Sequence, residues 1–475
     1  MAPERARGAL GRSAPFAAPR GPTLACRRVR CDACDGGDGE SAKTSRRRAL
    51  QSGLATVLAA STSTLAGPAL ATLGPESNWP LWLALPVAPY ARRKTICRPM
   101  GPKVWAFDQT IGIYYVQVPI RMTVVALESG GLFVYAPVAP TEECLSLLRP
   151  LIRDHGDVRF IVLPSVAVEH KVLAGPFARR FPNAEFYVAS NQYAFPVNLP
   201  GSFLGLPSWT KTLPRSSEDM GPNAWAGELR HEVLRVKPGP GSDYQDAAFF
   251  HEPSGTLMVC DAVFATTENP PAILESDPEY VRALLFHARD SFSDVPEDTP
   301  ENRRKGWRRI ILYANFFIPG AAVADLGPGP IAEALSQPEY PLGWGGWLPF
   351  RWRETELEDF ERFASFGRPN ILPIIQIILA RDPEAVFEWL DRMKGWSFNT
   401  VVPAHLDAPL SMGPEELSET FRYAFGEKRN EVRSCDEDVE FLRRAEEGVL
   451  NFSVYKTPYG TLRGKEGACG LRRDS

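Results

Sequence analysis

Histidine is the side chain best suited to bind a metal or move a proton near neutral pH, and this chain has only six among 475 residues. Two of them lie just past apolar, strand-like runs. His170 follows Phe160-Ile161-Val162-Leu163-Pro164 and a polar loop, and His405 follows Phe398-Asn399-Thr400-Val401-Val402 by way of Pro403-Ala404. Asp261 directly follows Leu257-Met258-Val259-Cys260. Three potential ligands at the ends of three strands could converge on one edge of the sheets, where open α/β architectures place their sites. The other histidines read as weaker candidates. His155 ends a surface helix, where a cation complements the helix dipole. His287 lies on an aromatic-rich helix beside Arg289 and Asp290, and His231 and His251 sit within strands, facing partners or solvent.

Two further groups could carry chemistry. Arg303, Arg304, Lys305, Arg308 and Arg309 form a basic run that could hold a phosphate or an acidic head group, although a solvated helix face is the commoner meaning of such a run. Trp344, Trp347 and Trp352, in a Gly/Pro-rich segment, could line an apolar pocket or simply pack under an insertion. There is no nucleotide-binding glycine loop, nucleophile elbow or kinase signature.

The elements that must position these residues alternate between strands and helices. Val104–Phe107, Ile113–Val118, Met122–Leu127 and Leu132–Tyr135 are rich in β-branched and aromatic residues, and Gly112, Pro119 and Gly130-Gly131 separate them as turn residues, which predicts an antiparallel meander. Thr141-Glu142-Glu143 opens a helix with Cys144, Leu145, Leu147, Leu148, Leu151 and Ile152 on its apolar face. A second helix is expected from about Val172 to Arg180, with strands at Glu185–Ala189, His231–Val236, Ala247–His251 and Thr256–Cys260. Residues 262–395 are helical, aromatic and proline-punctuated; Thr299-Pro300-Glu301 starts one helix and Pro383–Met393 forms another. Strands alternating with helices predict an α/β layered fold.

The amino-terminal residues carry an address instead of a core. Met1–Arg30 holds seven arginines against the single acid Glu4, the composition of an organelle transit peptide. Arg46-Arg47-Arg48, an apolar stretch from Leu54 to Leu65 and Ala69-Leu70-Ala71 then follow the order of a twin-arginine export signal. The pair resembles the bipartite leader of thylakoid-lumen proteins, with the stroma as the alternative. The formal charge of −4 divides accordingly: this leader holds 11 basic and 5 acidic residues, so the chain beyond residue 71 stands near −10. That acidity argues against nucleic acid as a partner. No apolar run beyond the leader reaches the roughly 20 residues a membrane span needs, and residues 79–87 could at most rest on a membrane surface. The cysteines beyond the leader (Cys97, Cys144, Cys260, Cys435 and Cys469) are odd in number and lack zinc or disulfide spacing.

The order strand, Glu169-His170, strand, Asp261, strand, His405 resembles the metallo-β-lactamase fold. More narrowly, the chain resembles the domain-of-unknown-function 4336 family of plants, algae and bacteria, from about Trp79 to Phe425. The segments that carry this are Val118-Pro119-Ile120-Arg121-Met122-Thr123-Val124-Val125, Glu169-His170-Lys171-Val172-Leu173-Ala174-Gly175-Pro176-Phe177-Ala178, Leu285-Phe286-His287-Ala288-Arg289-Asp290 and Thr299-Pro300-Glu301-Asn302-Arg303-Arg304-Lys305-Gly306-Trp307. The resemblance implies an αββα sandwich with a helical, Trp/Pro-rich insertion. The expected division of the chain is a leader over 1–71, an arm over 72–102, the sandwich over 103–425 with its insertion at about 262–395, and a tail over 426–475.

Members of the larger superfamily hold two zinc ions on a His-x-His-x-Asp-His loop, a Pro-Gly-His turn, a bridging Asp and a last His. Here the loop reads Ser165-Val166-Ala167-Val168-Glu169-His170 and the turn Pro238-Gly239-Pro240, so the first metal site lacks its imidazoles. The second survives in type: Glu169 stands where Asp is usual, and His170, Asp261 and His405 match. Two imidazoles and two carboxylates suit one Zn, Fe or Mn ion. Two functions follow, a non-catalytic binding or assembly protein, which the missing histidines favour, and a single-metal hydrolase using Glu169, His170, Asp261 and His405.

Overall fold

The computed structural model describes residues 93–425, apart from 114, 193–200, 221–224, 226, 237–243, 292, 317–318, 326, 330–331, 333–347 and 349, together with 438, 441, 442 and 444. The leader, most of the amino-terminal arm with residues 79–87, Trp344, Trp347, the Pro238-Gly239-Pro240 turn, Cys435, Cys469 and nearly all of the tail lie outside the described residues.

The larger sheet runs in sequence order: β1 (Ile96–Gly101), β2 (Val104–Ile113), β3 (Val116–Ala126), β4 (Leu132–Tyr135), β5 (Val158–Leu163), β6 (Glu185–Val188) and β7 (Lys211–Thr212). Its first four strands pair antiparallel and its last four parallel. The second sheet contains β8 (Leu229–Val236), β9 (Tyr244–His251), β10 (Thr256–Val259), β13 (Thr400–Pro403) and β14 (Leu410–Ser411), ordered β14-β13-β10-β9-β8. A short ribbon of β11 (Ala322–Ala324) and β12 (Phe350–Trp352) belongs to the insertion.

Three cores show how these pieces stack. Strand residues alternate between faces, and here both faces are buried. On β5, Ile161 and Leu163 join a core with Cys144 and Leu148 of α1 (Glu142–His155) and Leu173 and Phe177 of α2 (Val168–Ala178). Phe160 and Val162 of the same strand point the other way, into a core shared with Val233, Phe249 and Met258 of the second sheet. Beyond that sheet, Ala248 and Phe250 of β9 pack with Ile375 and Leu379 of α7 (Pro373–Leu379), Trp389 of α8 (Pro383–Met393) and Phe421 of α9 (Pro414–Phe425). The layers are therefore helix, sheet, sheet, helix, as the αββα expectation requires. Tyr135 ties the sheets together by donating its hydroxyl to Ala247 O at 2.8 Å.

The insertion supplies a fourth core built by α3 (Ala272–Glu275), α4 (Pro278–Ala288), α5 (Pro300–Phe316) and α6 (Glu356–Phe363). Its helices start where side chains can cap them: Asp277 accepts from Glu279 N at 3.0 Å, and the Thr299 hydroxyl accepts from Asn302 N at 3.2 Å. Helices α4 and α5 cross closely at Gly306, where any Cβ would stand 1.9 Å from Leu284 O. No described helix is long and apolar enough to cross a membrane.

Two boundaries differ from the expectation. Gly112 and Pro119 do not separate strands; they lie inside β2 and β3, opposite Gln117 and Thr110. Pro119 is tolerated because its nitrogen shares the outward side with Arg121 N, which bonds Ala404 O, and β4 pairs only from Thr123 onward. Likewise α2 begins at Val168 instead of Val172, so Glu169 and His170 occupy a helical turn instead of a loop. No side chain caps that start, which deprives the sequence of its usual signal; burial of His170 and Leu173 fixes it.

Candidate metal centre

His170, Asp261 and His405 arrive at one point from three elements. His170 is in the first turn of α2, Asp261 leaves the end of β10, and His405 leaves the end of β13, which pairs parallel with β10. Parallel pairing puts the carboxyl ends of both strands on the same edge. Their donor atoms all lie within 4.8 Å of one another. The two Nε2 atoms are 3.0 Å apart, and His405 Nε2 is 3.2 Å from Asp261 Oδ1. His170 is fully buried, and the side chains of Asp261 and His405 retain 6 % and 12 % exposure.

Each approach is held by a second set of residues. His405 Nδ1 faces Pro119 O at 2.9 Å, so Nδ1–H donates there and Nε2 is turned to the cluster. Arg121 straps the loop: it donates Nη1 to Pro403 O at 2.6 Å and Nη2 to Leu406 O at 2.7 Å, while its own backbone N bonds Ala404 O. Its Nε is fixed by Asp108 at 2.6 Å. The strap matters because Leu406 has φ +57°, a left-handed conformation costing a non-glycine residue about 1–2 kcal/mol. Asp246 performs the same service for Asp261. Its buried carboxylate accepts from Cys260 N, Asp261 N and Ala262 N at 3.0, 2.7 and 2.7 Å.

The electrostatics follow from burial and proximity. Burial, then the neighbouring His405, pushes His170 down to about 3, so its imidazole is neutral. Burial disfavours charge on His405 and Asp261 as well, yet their mutual hydrogen bond and the opposite charges around them together outweigh it, holding His405 above and Asp261 below the usual range. Burial, reinforced by the Asp261 charge, lifts Asp246 to about 7 despite its three N–H donors.

A metal ion fits this donor set. Ligand atoms about 2.0–2.2 Å from an ion stand roughly 3 Å apart when adjacent, which is the spacing of both observed contacts. Two imidazole nitrogens face each other across 3.0 Å, where only one proton can lie between them, and His170 Nδ1 has no partner among the described residues. Two nitrogens and a carboxylate oxygen suit Zn, Fe or Mn.

Glu169 stands outside this convergence. It is half-buried on the turn of α2 that carries His170, and burial followed by the Asp261 charge raises its pKa. Of the positions that would complete a first site, Ser165 is buried with its hydroxyl accepting from Ala167 N at 3.2 Å.

The remaining histidines serve packing. His231 and His251 do not face solvent; both are fully buried, His231 within reach of Ser217 Oγ and Pro214 O and His251 of Ser254 Oγ. His155 ends α1 against Trp105, ring centroids 5.3 Å apart. The basic run on α5 is satisfied by acids of this chain: Arg303 by Asp298 and Glu275, Arg304 by Glu301, Lys305 by Asp290, and Arg308 and Arg309 by Glu356. Arg121, Asp108 and Asp246 are the residues sequence reasoning missed. Their signal was a charged side chain inside an otherwise apolar strand, where it must find a partner.

The family described as "Domain of unknown function (DUF4336)" matches residues 102–423. No curated protein matches the chain. Among solved structures, the DIM-1 metallo-β-lactamase exposed to ceftazidime is similar at 10 % identity and TM-score 0.35, covering 70 % of this chain and 98 % of its own. The metal-soaked Flv1 flavodiiron core from Synechocystis sp. PCC6803 gives 10 % identity and TM-score 0.35, covering 71 % and 62 %. The mono-zinc FIM-1 metallo-β-lactamase from Pseudomonas aeruginosa gives 12 % identity and TM-score 0.28, covering 40 % and 80 %.

Proposed function

The chain belongs to the DUF4336 family, and we propose that it is a single-metal member that uses the ion in a binding or assembly role. The observation that carries this reading is the convergence of His170 Nε2, His405 Nε2 and an Asp261 oxygen within 4.8 Å. Ser165, Val166 and Ala167 offer no imidazole for a neighbouring ion, so chemistry that needs two metals is not supported. The near-closure of the three ligands favours a held ion over an open site for a large substrate. A bound ion would supply Lewis acidity to an oxygen ligand. This chain's residues hold it: Pro119 O and Arg121 orient His405, and Asp246 orients Asp261.

A second reading, a single-metal hydrolase with Glu169 as fourth ligand, draws on one observation. Glu169 feels the charges of both Asp261 and His405. Elemental analysis of the purified full chain separates the outcomes. One equivalent of Zn, Fe or Mn is expected, lost in His405→Ala and retained in Glu169→Gln. Loss in Glu169→Gln as well would favour the four-ligand hydrolase. Absence of any stoichiometric metal, with a melting temperature indifferent to added metal, would overturn both readings.

The address belongs to the same proposal: a plastid protein exported to the thylakoid lumen, on the composition of residues 1–71. Fusing residues 1–80 to a fluorescent reporter and fractionating plastids tests it, and recovery in the stroma would refute it.

A further inference from the structure

A cavity of about 170 Å³ adjoins the loop that carries His405. A single buried water needs only about 10–15 Å³ and drug-sized ligands occupy roughly 300–1,000 Å³, so the space suits a small metabolite. Its lining includes apolar Pro271, Ile273 and Pro409 and charged Arg98, Asp108, Arg121 and Asp407.

The four charges balance in sum, but not all of them meet. Arg98 and Arg121 share one carboxylate, Asp108, at 2.7 and 2.6 Å, while the Asp407 charge acts on both guanidiniums without a direct ion pair among the described residues. Arg121 is also committed to the carbonyls of Pro403 and Leu406. Arg98 is one-third exposed; it spends Nε and Nη2 on Asp108 at 2.7 and 2.6 Å, and its Nη1, with a 3.3 Å contact to Ala408 O, is the donor an incoming group can reach. Asp407 lines the same cavity, takes a backbone N–H from Thr267, and forms no direct ion pair among the described residues. A guanidinium with one weakly used donor and a carboxylate without a direct ion pair therefore share one small cavity that is also lined by apolar side chains. Opposite charges drawn partly out of water are stabilised by a ligand that presents the complementary pair.

We propose that this cavity binds a small apolar α-amino acid as its zwitterion, carboxylate toward Arg98, ammonium toward Asp407 and side chain against Pro271, Ile273 and Pro409. The ligand contacts none of His170, Asp261 and His405, so its binding is measured separately from metal content.

Calorimetric titration and thermal-shift measurements on the full chain test it, run on chelator-stripped protein and again after metal addition. The probes are L-alanine and L-valine, with propionate and isobutyrate lacking the ammonium and isobutylamine lacking the carboxylate. The amino acids should bind and raise the melting temperature, and the half-ligands should bind at least tenfold more weakly. Arg98→Gln and Asp407→Asn should each lower affinity at least tenfold. Ala272→Phe, which fills the cavity and leaves every charge in place, should abolish binding with an unchanged circular-dichroism spectrum. Silence from all amino acids at millimolar concentration overturns the proposal. So does propionate binding as well as L-alanine, or amino-acid binding that survives Ala272→Phe.

Discussion

Two arginine–carboxylate clusters in this molecule are built from the same chemistry and do different work. Behind the candidate metal centre, Arg121 and Asp108 are almost wholly buried, with side-chain exposures of 2 % and 3 %. Along α5, five basic residues stitch the insertion to its neighbouring segments, and their exposure grades from 4 % at Arg309 to 26 % at Arg303 and 29 % at Arg304. The basic run is conspicuous in sequence, the lone Arg121 inside an apolar strand is not. Yet Arg121 makes contacts that reach nearly 300 positions along the chain to hold the loop of a site residue, whereas most partners of the α5 run are local or solvent-facing. A charge is informative in proportion to the water it has given up, because a buried charge must be paired.

The largest expected effect tests the buried cluster. Arg121→Ala removes the strap from Pro403 and Leu406 and leaves Asp108 with only the partly exposed Arg98. Breaking a buried pair by deleting one partner typically costs about 3–5 kcal/mol, so urea unfolding should show a loss of that size. Metal retention should fall with it, because His405 loses its anchored loop. A stability loss below about 1 kcal/mol, typical of a surface pair, would erase the distinction between the two clusters.

Arg309→Ala is the next largest and asks whether burial alone sets the cost. Arg309 donates to Glu356, Asp290 and the carbonyls of His287 and Arg289. Hydrogen bonds to charged groups are worth about 1.5–3 kcal/mol, and Glu356 keeps Arg308, so a loss of about 2–3 kcal/mol is expected. Metal content should not change. A drop in bound metal in this variant would mean that the insertion, too, positions the site.

The layers were legible in the sequence, since they depend on local pattern: the alternation of β5, the Thr141 cap of α1 and Pro300 at the head of α5 are all short-range signals. His170, Asp261 and His405 were legible as strand-end residues. What escaped depends on partners far along the chain. Pro119 sits inside β3 because β4 ends early, α2 starts uncapped because His170 is buried, and Arg121 and Asp246 act on loops that only the fold brings near. Glu169 adjoins His170 in sequence, but one residue along a helix turns a side chain by about 100°, and its carboxylate is not among the converging atoms.

Arginines stay protonated across the accessible range, so mild acid should spare both clusters' cations and strike a buried histidine instead. His231 is fully buried, and burial lowers its pKa to about 4. The folded state then binds fewer protons than the unfolded state, whose histidine titrates near 6.5. Its contribution is intact above pH 6.5 and is lost as pH falls toward 4, reaching about 2 kcal/mol by pH 5. Denaturant midpoints measured from pH 7 to 5 should decline, and His231→Gln should flatten the decline. A profile unchanged by that substitution would assign the acid sensitivity to other groups, among them His170 and His287, which burial also pushes down to about 3.

The smallest effect completes the gradient. Arg303 lies against Asp298 at 2.6 Å and Glu275 at 3.2 Å, a geometry as short as that of Arg121 with Asp108. If distance set the value, Arg303→Ala and Arg121→Ala would cost the same. Solvent decides otherwise: Asp298 and Glu275 are 47 % and 42 % exposed, water screens them before and after the substitution, and exposed pairs are worth about 0.2–1 kcal/mol. The Arg303→Ala loss should therefore stay below about 1 kcal/mol. It should shrink further in 1 M salt, where the screening length is only about 3 Å. The Arg121→Ala loss should respond less to salt, since the Arg121 and Asp108 side chains are themselves almost wholly buried. Equal salt dependence in the two variants would show that the strap is wetter than its burial implies.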